Sequence, residues 1–324
     1  MIDKIGIGIF VWNGEKTIKD AIYSVLNQSY QNIDIIVLDN QSTDKTANIV
    51  RDIARKNKTS KDIKLIIDKK KRKVDKAFQY LVKKYLKKYY YSMILNDDDI
   101  MHKKYVAELI INIKKKKADL VYSDFNFINM SNKIYKPQAI SLNLKFSKYP
   151  IYTRFNSYFS NLILFIFFKN MVPLIFGLFK TQSLLNSLKY YKYFDKTYSN
   201  YDALFIIHFL TRNKICYINK KRFFYREKDR ARIYTERKNK EIITYTGIFS
   251  NIKNIYHQII FSKKIIQVIQ KSNSIKKKFK LLLYLFIIFN YFWRLIMNIL
   301  KFIFGILKKF KLKIKNLKLI NSYS

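Results

Sequence analysis

Apolar and polar positions follow two rhythms over the first 130 residues. Runs of β-branched and aliphatic residues begin near Ile5 (IGIGIFVW), Ile33 (IDIIVLD), Ile63 (IKLIID), Tyr91 (YSMILND) and Asp119 (DLVYSDF), 28 to 30 residues apart. Between them the apolar residues recur at helical spacing. One stripe is Ile18, Ile22, Val25 and Leu26, and a second is Ile49, Val50, Ile53 and Ala54. A third is Val74, Phe78, Leu81, Val82 and Tyr85, and a fourth is Val106, Leu109, Ile110 and Ile113. Strands apolar on both faces that alternate with amphipathic helices predict an α/β chain, a mostly parallel sheet flanked by helices. Crossovers between parallel strands are right-handed, which leaves few topologies. Ligands of such sheets sit beyond the carboxyl ends of the strands, so the chemistry is to be sought there.

Beyond residue 130 the rhythm changes. Ser131 to Ser160 is polar and loop-like, and Leu162 to Phe179 is apolar but broken by Lys169, Asn170, Pro173 and Gly177. Leu184 to Tyr217 has helical patterning, and Arg222 to Lys240 is dense in mixed charge. No acid follows Glu241, whereas sixteen Lys or Arg do. The expected organisation is a domain over 1–240 and a basic helical tail over 241–324.

The chain has 324 residues, about half of them apolar, enough for a substantial core without disulfides. Lys plus Arg total 64 against 22 Asp plus Glu, a formal charge of +42. That charge points to polyanions: nucleic acid, phosphorylated substrates or an anionic membrane. Part of the excess follows from codons, since Lys, Ile, Asn, Tyr and Phe all use AT-rich ones. The single cysteine, Cys216, permits no internal disulfide and no cysteine metal site, in keeping with a reducing cytoplasm. Met1 to Asn13 lacks the basic leader and long apolar run of a secretory signal. Neither a G-x-x-x-x-G-K-S/T loop nor a G-x-G-x-x-G register is present, which argues against those two nucleotide-binding chemistries.

Polar residues collect at the predicted strand ends. Trp12 and Asn13 follow the first strand. Asp39-Asn40-Gln41-Ser42-Thr43-Asp44 follows the second and enters a helix, with Ser42 or Thr43 as N-cap. Asn96-Asp97-Asp98-Asp99 follows the fourth. Three adjacent carboxylates repel one another, and a divalent ion shared with phosphate oxygens, Mn²⁺ or Mg²⁺, relieves that repulsion. The alternative is an exposed acidic turn.

These segments, IGIGIFVWNGEKTIKDAIYSVLNQSYQNIDIIVLDNQSTDKT followed by LNDDDI, resemble family 2 glycosyltransferases. The family pattern is P-V-Y-N, then S-x-L-x-Q-T/S-Y, D-D-G-S-T-D and L-D-x-D-D, and the likeness is close over 4–125 and looser over 170–232. The resemblance implies a GT-A (Rossmann-like) fold, an inverting mechanism and a nucleotide-sugar donor bound by the 1–125 half. The 126–240 half would bind the acceptor. Phe10 stands at the family's Pro and Trp12 at its Tyr, so Phe10, Trp12 and Asn13 would border the nucleobase. Asp39 matches the first acid of D-D-G-S-T-D, and Asn40 replaces the acid that meets the base. Asn96 replaces the first acid of L-D-x-D-D. Asp98 would lie near the ribose, Asp99 would hold the metal, and Asp97 would be solvated.

Farther on, GLFKTQSLL and NYDALFIIHFL align with G-x-x-R/K-x-x-x-L and E-D-x-x-L. The resemblance makes Asp202 the base that takes the acceptor hydroxyl proton, with Tyr201 in place of the family's Glu. Asp202 also opens an apolar helix, so an N-cap role stands beside the catalytic one. FFYREKDRAR resembles Y-x-Y-R-x-H, which makes Arg226 a diphosphate contact. The basic run Lys69 to Lys73 is either a solvated loop or a donor-side anion site. His208, inside an apolar stretch, reads as core or wall.

In the tail, Asn290, Arg294, Asn298, Lys301, Gly305 and Lys308 recur at steps of 4, 4, 3, 4 and 3 amid Phe, Leu and Ile. One polar stripe on an apolar helix suits the interface of an anionic membrane, with packing on the domain or a spanning helix as alternatives. The combined expectation is a metal-dependent enzyme, peripheral on the cytoplasmic face of the plasma membrane. It would move one sugar from a UDP-type donor to a lipid-linked glycan in surface polysaccharide synthesis. No Q-x-x-R-W segment supports a processive synthase. Two rivals remain at this level: a nucleic-acid-binding protein, which leaves Asp97 to Asp99 unexplained, and an inactive homologue acting as a membrane scaffold. No nucleic-acid partner is expected.

Overall fold

In a computed structural model the described residues are 3–135, 172–188, 205, 208–226 and scattered positions between 263 and 296. The chain divides into two compact units. One is Met1–Thr235 with Ser272–Ser274, and the other is Glu236–Lys271 with Ile275–Ser324.

The strands of the first unit are β1 (Ile5–Val11), β2 (Ile33–Asp39), β3 (Asp62–Ile67), β4 (Tyr91–Asn96), β5 (Ile100–Met101), β6 (Leu120–Ile128), β7 (Ile134–Tyr135), β8 (Leu178–Lys180) and β9 (Ile215–Arg226). The helices are α1 (Ile18–Leu26), α2 (Thr46–Lys56), α3 (Val74–Tyr80), α4 (Tyr105–Lys116), α5 (Val172–Ile175) and α6 (Thr181–Leu188). The sheet order is β3-β2-β1-β4-β8-β6-β9-β5, with β7 paired to β6. The six longer strands run in one sense. Only the two- and three-residue strands β5, β7 and β8 are reversed. Four of the predicted strand starts fall on these elements and the fifth, Asp119, lies one residue before β6. Three helical stripes fall on α1, α2 and α4, and the remaining one begins in α3 and runs past its end.

The core forms where those stripes meet the sheet. Ile18, Ala21, Ile22, Val25 and Leu26 of α1 pack with Ile5, Ile7, Ile9 and Val11 of β1, all buried. Each such large side chain contributes about 1.5–3 kcal/mol relative to exposure. Two glycines of β1 admit close neighbours. A Cβ on Gly6 would meet the Tyr89 ring at 2.3 Å, and one on Gly8 would meet Leu81 at 2.8 Å. Leu81 and Leu86 belong to a π-helical continuation of α3 (Leu81–Leu86), which the glycines allow to lie against β1.

One expectation about the second half needs correction, and two stretches that the sequence left without an element gain one. Phe179, at the end of the broken apolar stretch, lies in β8. Helix does not extend to Tyr217, because Ile215 to Tyr217 open β9; among the described residues before it, Leu184 to Leu188, Phe205 and 208–210 are helical. The charged residues from Arg222 to Arg226 complete that strand. β9 spans twelve residues beside β6 with a register shift around Asp124, and it carries Lys220 and Lys221 at exposed and Arg222 at half-exposed positions, which hide the strand signal. β3 is an edge strand with exposed positions, so the sheet is not covered throughout. His208 is buried, and burial lowers its pKa to about 3, with Arg212 adding to the shift.

In the second unit Ile265, Ile269, Leu283 and Ile287 are buried, whereas Leu281, Leu282, Leu285, Ile288, Phe289, Phe292 and Ile296 are exposed. Among the described residues no helix is long and apolar enough to cross a membrane.

Candidate active site

The loops after β1, β2, β3 and β4 adjoin because those strands are neighbours in register. Val11 pairs with Asp39, Asp39 with Ile67, and Phe10 with both Leu38 and Asn96. The first two loops are laced together. Asn13 adopts a left-handed backbone (φ 52°), as does Gln41 (φ 61°). Asn13 is one of the few residue types that tolerate this, because its short amide bonds nearby backbone. Its N–H donates to Ser42 Oγ at 2.9 Å, and its Oδ1 accepts the Thr43 N–H at 2.9 Å. Gly14 N–H donates to Thr46 Oγ1 at 2.9 Å, and Glu15 N–H to Asp44 Oδ2 at 3.1 Å. Ser42 and Thr43 are therefore not helix caps. Asp44 Oδ1 accepts the Thr46 N–H at the start of α2, and Ser42 and Thr43 bind the Asn13 turn instead.

On the β3 side Trp12 is 48 % exposed and carries the Lys71 ammonium over its ring, 3.7 Å from the centroid. Asp39 is buried and its Oδ1 accepts the Ser42 N–H at 2.8 Å. Asn40, 3 % exposed, makes a two-way pair with the backbone of Arg72. Its Oδ1 accepts the Arg72 N–H at 2.7 Å, and its Nδ2 donates to the Arg72 carbonyl at 2.9 Å. The Arg72 guanidinium in turn donates to Asp68 and lies 3.8 Å from the Tyr80 ring. An acid at position 40 cannot donate to that carbonyl, so the amide is what holds this loop. Asn40→Asp is expected to destabilise the protein by about 1–3 kcal/mol, read as a lower melting temperature. An unchanged melting temperature would show that the pair does not hold the loop.

In the acidic turn after β4 Asp99 is buried, while Asp97 and Asp98 are half-buried. Asp97, expected to be solvated, instead sits under the first loop. Its Oδ2 accepts from Thr17 Oγ1 at 3.4 Å, and a Cβ on Gly14 would approach that oxygen to 2.6 Å. Asp99 is 0 % exposed. Its Oδ1 accepts the Arg226 backbone N–H at 2.9 Å, and its Oδ2 accepts from Asn96 Nδ2 at 3.0 Å. Burial pushes its carboxyl up to about 8, the charge of Asp98 adds to the rise, and the two N–H donors oppose it. Each carboxylate oxygen keeps a second lone pair with which it could meet a cation. Among the described residues no three His, Cys, Asp or Glu side chains gather into a cage. One or two carboxylates, with phosphate oxygens and water completing the shell, form the donor set that Mg²⁺ favours.

Arg226 corrects the expectation of a diphosphate contact. It is 2 % exposed, and its guanidinium is turned into the protein. Nε donates to the Asp98 carbonyl at 2.7 Å and Nη1 to the Asn129 carbonyl at 2.7 Å. Nη2 serves Asn132 Oδ1 and Asp20 Oδ2. With four of its five N–H groups engaged, it holds the acidic turn rather than a ligand.

A family profile described as Glycosyl transferase family 2 matches residues 7–179, more than half of the chain. The chain belongs to glycosyltransferase family 2. An uncharacterized glycosyltransferase of Haemophilus influenzae is 46 % identical over 57 residues, which are 18 % of this chain and 23 % of that protein. The match thus spans under a quarter of that relative. The S. aureus TarS 1–349 crystal structure superposes with a TM-score of 0.60 at 15 % identity, covering 89 % of this chain and 72 % of that one. Its complex with UDP-GlcNAc gives 0.58 at 17 % identity, covering 86 % and 69 %. The mannosyltransferase PcManGT from Pyrobaculum calidifontis, in complex with GDP-Man and Mn²⁺, gives 0.50 at 12 % identity, covering 86 % and 66 %. At such identities the likeness is one of fold, and it fits GT-A.

In this family 2 member Phe10, Trp12, Asn13, Asp39, Asn40, Asp98 and Asp99 all fall at or just past the carboxyl ends of the neighbouring strands β1, β2 and β4. Asp202 and Tyr201 lie outside the described residues. Sequence reasoning passed over Gln28, which is buried and ties α1 to α4. Its Nε2 donates to the Ser24 and His102 carbonyls, and its Oε1 accepts the Val106 N–H. It also passed over Asp68 and Tyr80, which flank Arg72. Within the basic run, their signal was one Arg among lysines with an acid four residues before it.

Proposed function

We propose that this chain transfers a single sugar, with inversion, from a UDP-type nucleotide sugar to a lipid-linked glycan acceptor in surface polysaccharide synthesis. The observation that carries this reading is the acidic turn Asp97–Asp98–Asp99. It is packed against the loops of β1 and β9 at the carboxyl edge of a sheet belonging to a family 2 glycosyltransferase. The complexes of TarS with UDP-GlcNAc and of PcManGT with GDP-Man support a nucleotide-sugar donor.

In this proposal Trp12 and the Asn13 turn border the base, Asp39 sits at its edge, and Asp98 faces the ribose. Asp99 holds Mn²⁺ or Mg²⁺, which when bound neutralises the departing diphosphate. Asp202 takes the proton of the acceptor hydroxyl as its oxygen bonds to the sugar C1 and the C1–O bond to the diphosphate breaks. Replacing Asp202 by Asn is expected to leave UDP binding intact and to lower transfer by about 10²–10⁴-fold. Retained turnover would reassign the base.

Membrane attachment belongs to the same reading. Exposed Leu281, Leu285, Ile288, Phe292 and Ile296 are spaced 4, 3, 4 and 4 residues apart, one face of a helix, in a tail with sixteen cations and no acid after Glu241. An apolar face with basic surroundings suits the anionic inner leaflet and supports a reading on the cytoplasmic side. The triple substitution Leu285→Glu, Phe289→Glu and Phe292→Glu is expected to weaken sedimentation with phosphatidylglycerol vesicles by at least about tenfold. Unchanged sedimentation would remove the tail from the membrane.

A further inference from the structure

Away from the crevice, a groove of about 550 Å³ opens between α1, the β5 segment and the β6–β7 turn. Its volume lies in the roughly 300–1,000 Å³ range of small-molecule sites. Asp20, Tyr23 and Asn27 line it from one face of α1 at helical spacing, Met101 and Lys103 from β5 and its continuation, and Asn132 from the turn. Tyr23 is 40 % exposed, and neither its hydroxyl nor the Asn27 amide bonds to a described residue.

The lining decides the chemistry of the ligand. One carboxylate, Asp20, and one ammonium, Lys103, balance each other in a chain that is otherwise +42. A phosphate or nucleic acid would call for an excess of cations here, so a neutral ligand fits better. The remaining groups are an exposed aromatic ring, a carboxamide and hydroxyl-bonding charges. They suit a molecule with an apolar face and many hydroxyls. Asp20 Oδ2 already accepts from Asn132 Nδ2 at 3.1 Å and from Arg226, which leaves Oδ1 for a ligand hydroxyl.

We propose that this groove binds a neutral oligosaccharide segment at a site separate from the donor crevice. The Tyr23 ring is the platform for the C–H face of a pyranose, and Asp20, Asn27 and Lys103 meet its hydroxyls. The site goes beyond sugar transfer and does not depend on it. The floor of the groove also touches the residues that hold Arg226, whose Nε bonds the Asp98 carbonyl.

The test titrates the full chain with maltotriose, cellotriose and chitotriose by protein-observed NMR, without donor. At least one is expected to bind saturably, and to bind equally well when UDP and Mn²⁺ are saturating. Tyr23→Ala combined with Asn27→Ala is expected to weaken it at least tenfold, while Tyr23→Phe retains binding. Both Tyr23 and Asn27 are exposed, and an unchanged melting temperature certifies the double variant. No saturable binding of any of the three sugars overturns the proposal. Displacement by UDP, or indifference to the double substitution, also overturns it by placing the sugar elsewhere. Because no transfer is measured, an enzyme found inactive leaves this test standing.

Discussion

Asp99→Ala is expected to abolish Mn²⁺-dependent binding of UDP and to lower sugar transfer by at least about 10²–10³-fold. The loss follows from where charge accumulates. In the proposed reaction the departing diphosphate would gain negative charge beside these carboxylates, and a cation held at that turn would offset it. Calorimetric titration of UDP with and without Mn²⁺ checks the claim, and metal-independent binding of equal strength in both proteins would refute it. The fold should suffer far less. Removing the carboxylate strands the Arg226 backbone N–H and Asn96 Nδ2, a cost of about 1–3 kcal/mol.

The same carboxyl carries a pH signature in the metal-free protein. Its folded pKa is raised to about 8 from an ordinary 3.8. A raised pKa means that its share of stability is fully present below the unfolded value and is lost as pH rises through the folded one. Between pH 4 and 8 the wild type should lose stability at up to about 1.4 kcal/mol per pH unit relative to Asp99→Ala. Added Mn²⁺ should flatten that slope.

Arg226→Met carries the largest expected cost in stability. Its removal takes away the one described donor to the Asp98 carbonyl and Asn132 Oδ1 and one of two described donors to the Asn129 carbonyl and Asp20 Oδ2, three of the contacts being 2.7 Å or shorter. Breaking a buried charged network of this kind costs about 3–5 kcal/mol, or about 10 °C in melting temperature for a unit of this size. Arg226→Lys should recover less than half, because one ammonium cannot reach groups fixed by a planar fork. Calorimetry separates this role from direct ligand contact. A surface arginine on the diphosphate would give weaker UDP binding at unchanged melting temperature, and that outcome would restore the expectation the structure has displaced.

Much of the site was legible because strand ends and turn chemistry leave local marks. Asn13 in a left-handed turn, the acids after β2 and β4, and the pattern S-V-L-N-Q-S-Y are all readable in order. Asn40 illustrates what was not. As a sequence position it is an acid replaced by an amide at a base-binding place. In space it is a two-way pair with Arg72, 32 residues away, whose carbonyl only an amide can satisfy. Arg226 illustrates the same limit, since a motif names the residue but not the direction of its guanidinium. Strand β9 was hidden because Asn219 to Lys221 are exposed and polar within it, so its period-two pattern is broken.

By itself the sequence determined the α/β rhythm, the strands β1, β2, β3, β4 and β6 and the helices between them. Periodicity is a local property, set by 3.6 residues per helical turn and two per strand repeat. It also determined which end of the sheet carries the polar residues, since these follow directly after each apolar run. Only the tertiary structure decided the reversal of β8 between β4 and β6, the burial of Asp99, the packing of Asp97 against Gly14 and the inward turn of Arg226. Each of these depends on partners tens to more than a hundred residues distant, and a hydrogen bond or a desolvated charge is settled by which groups meet, not by what precedes them in the chain.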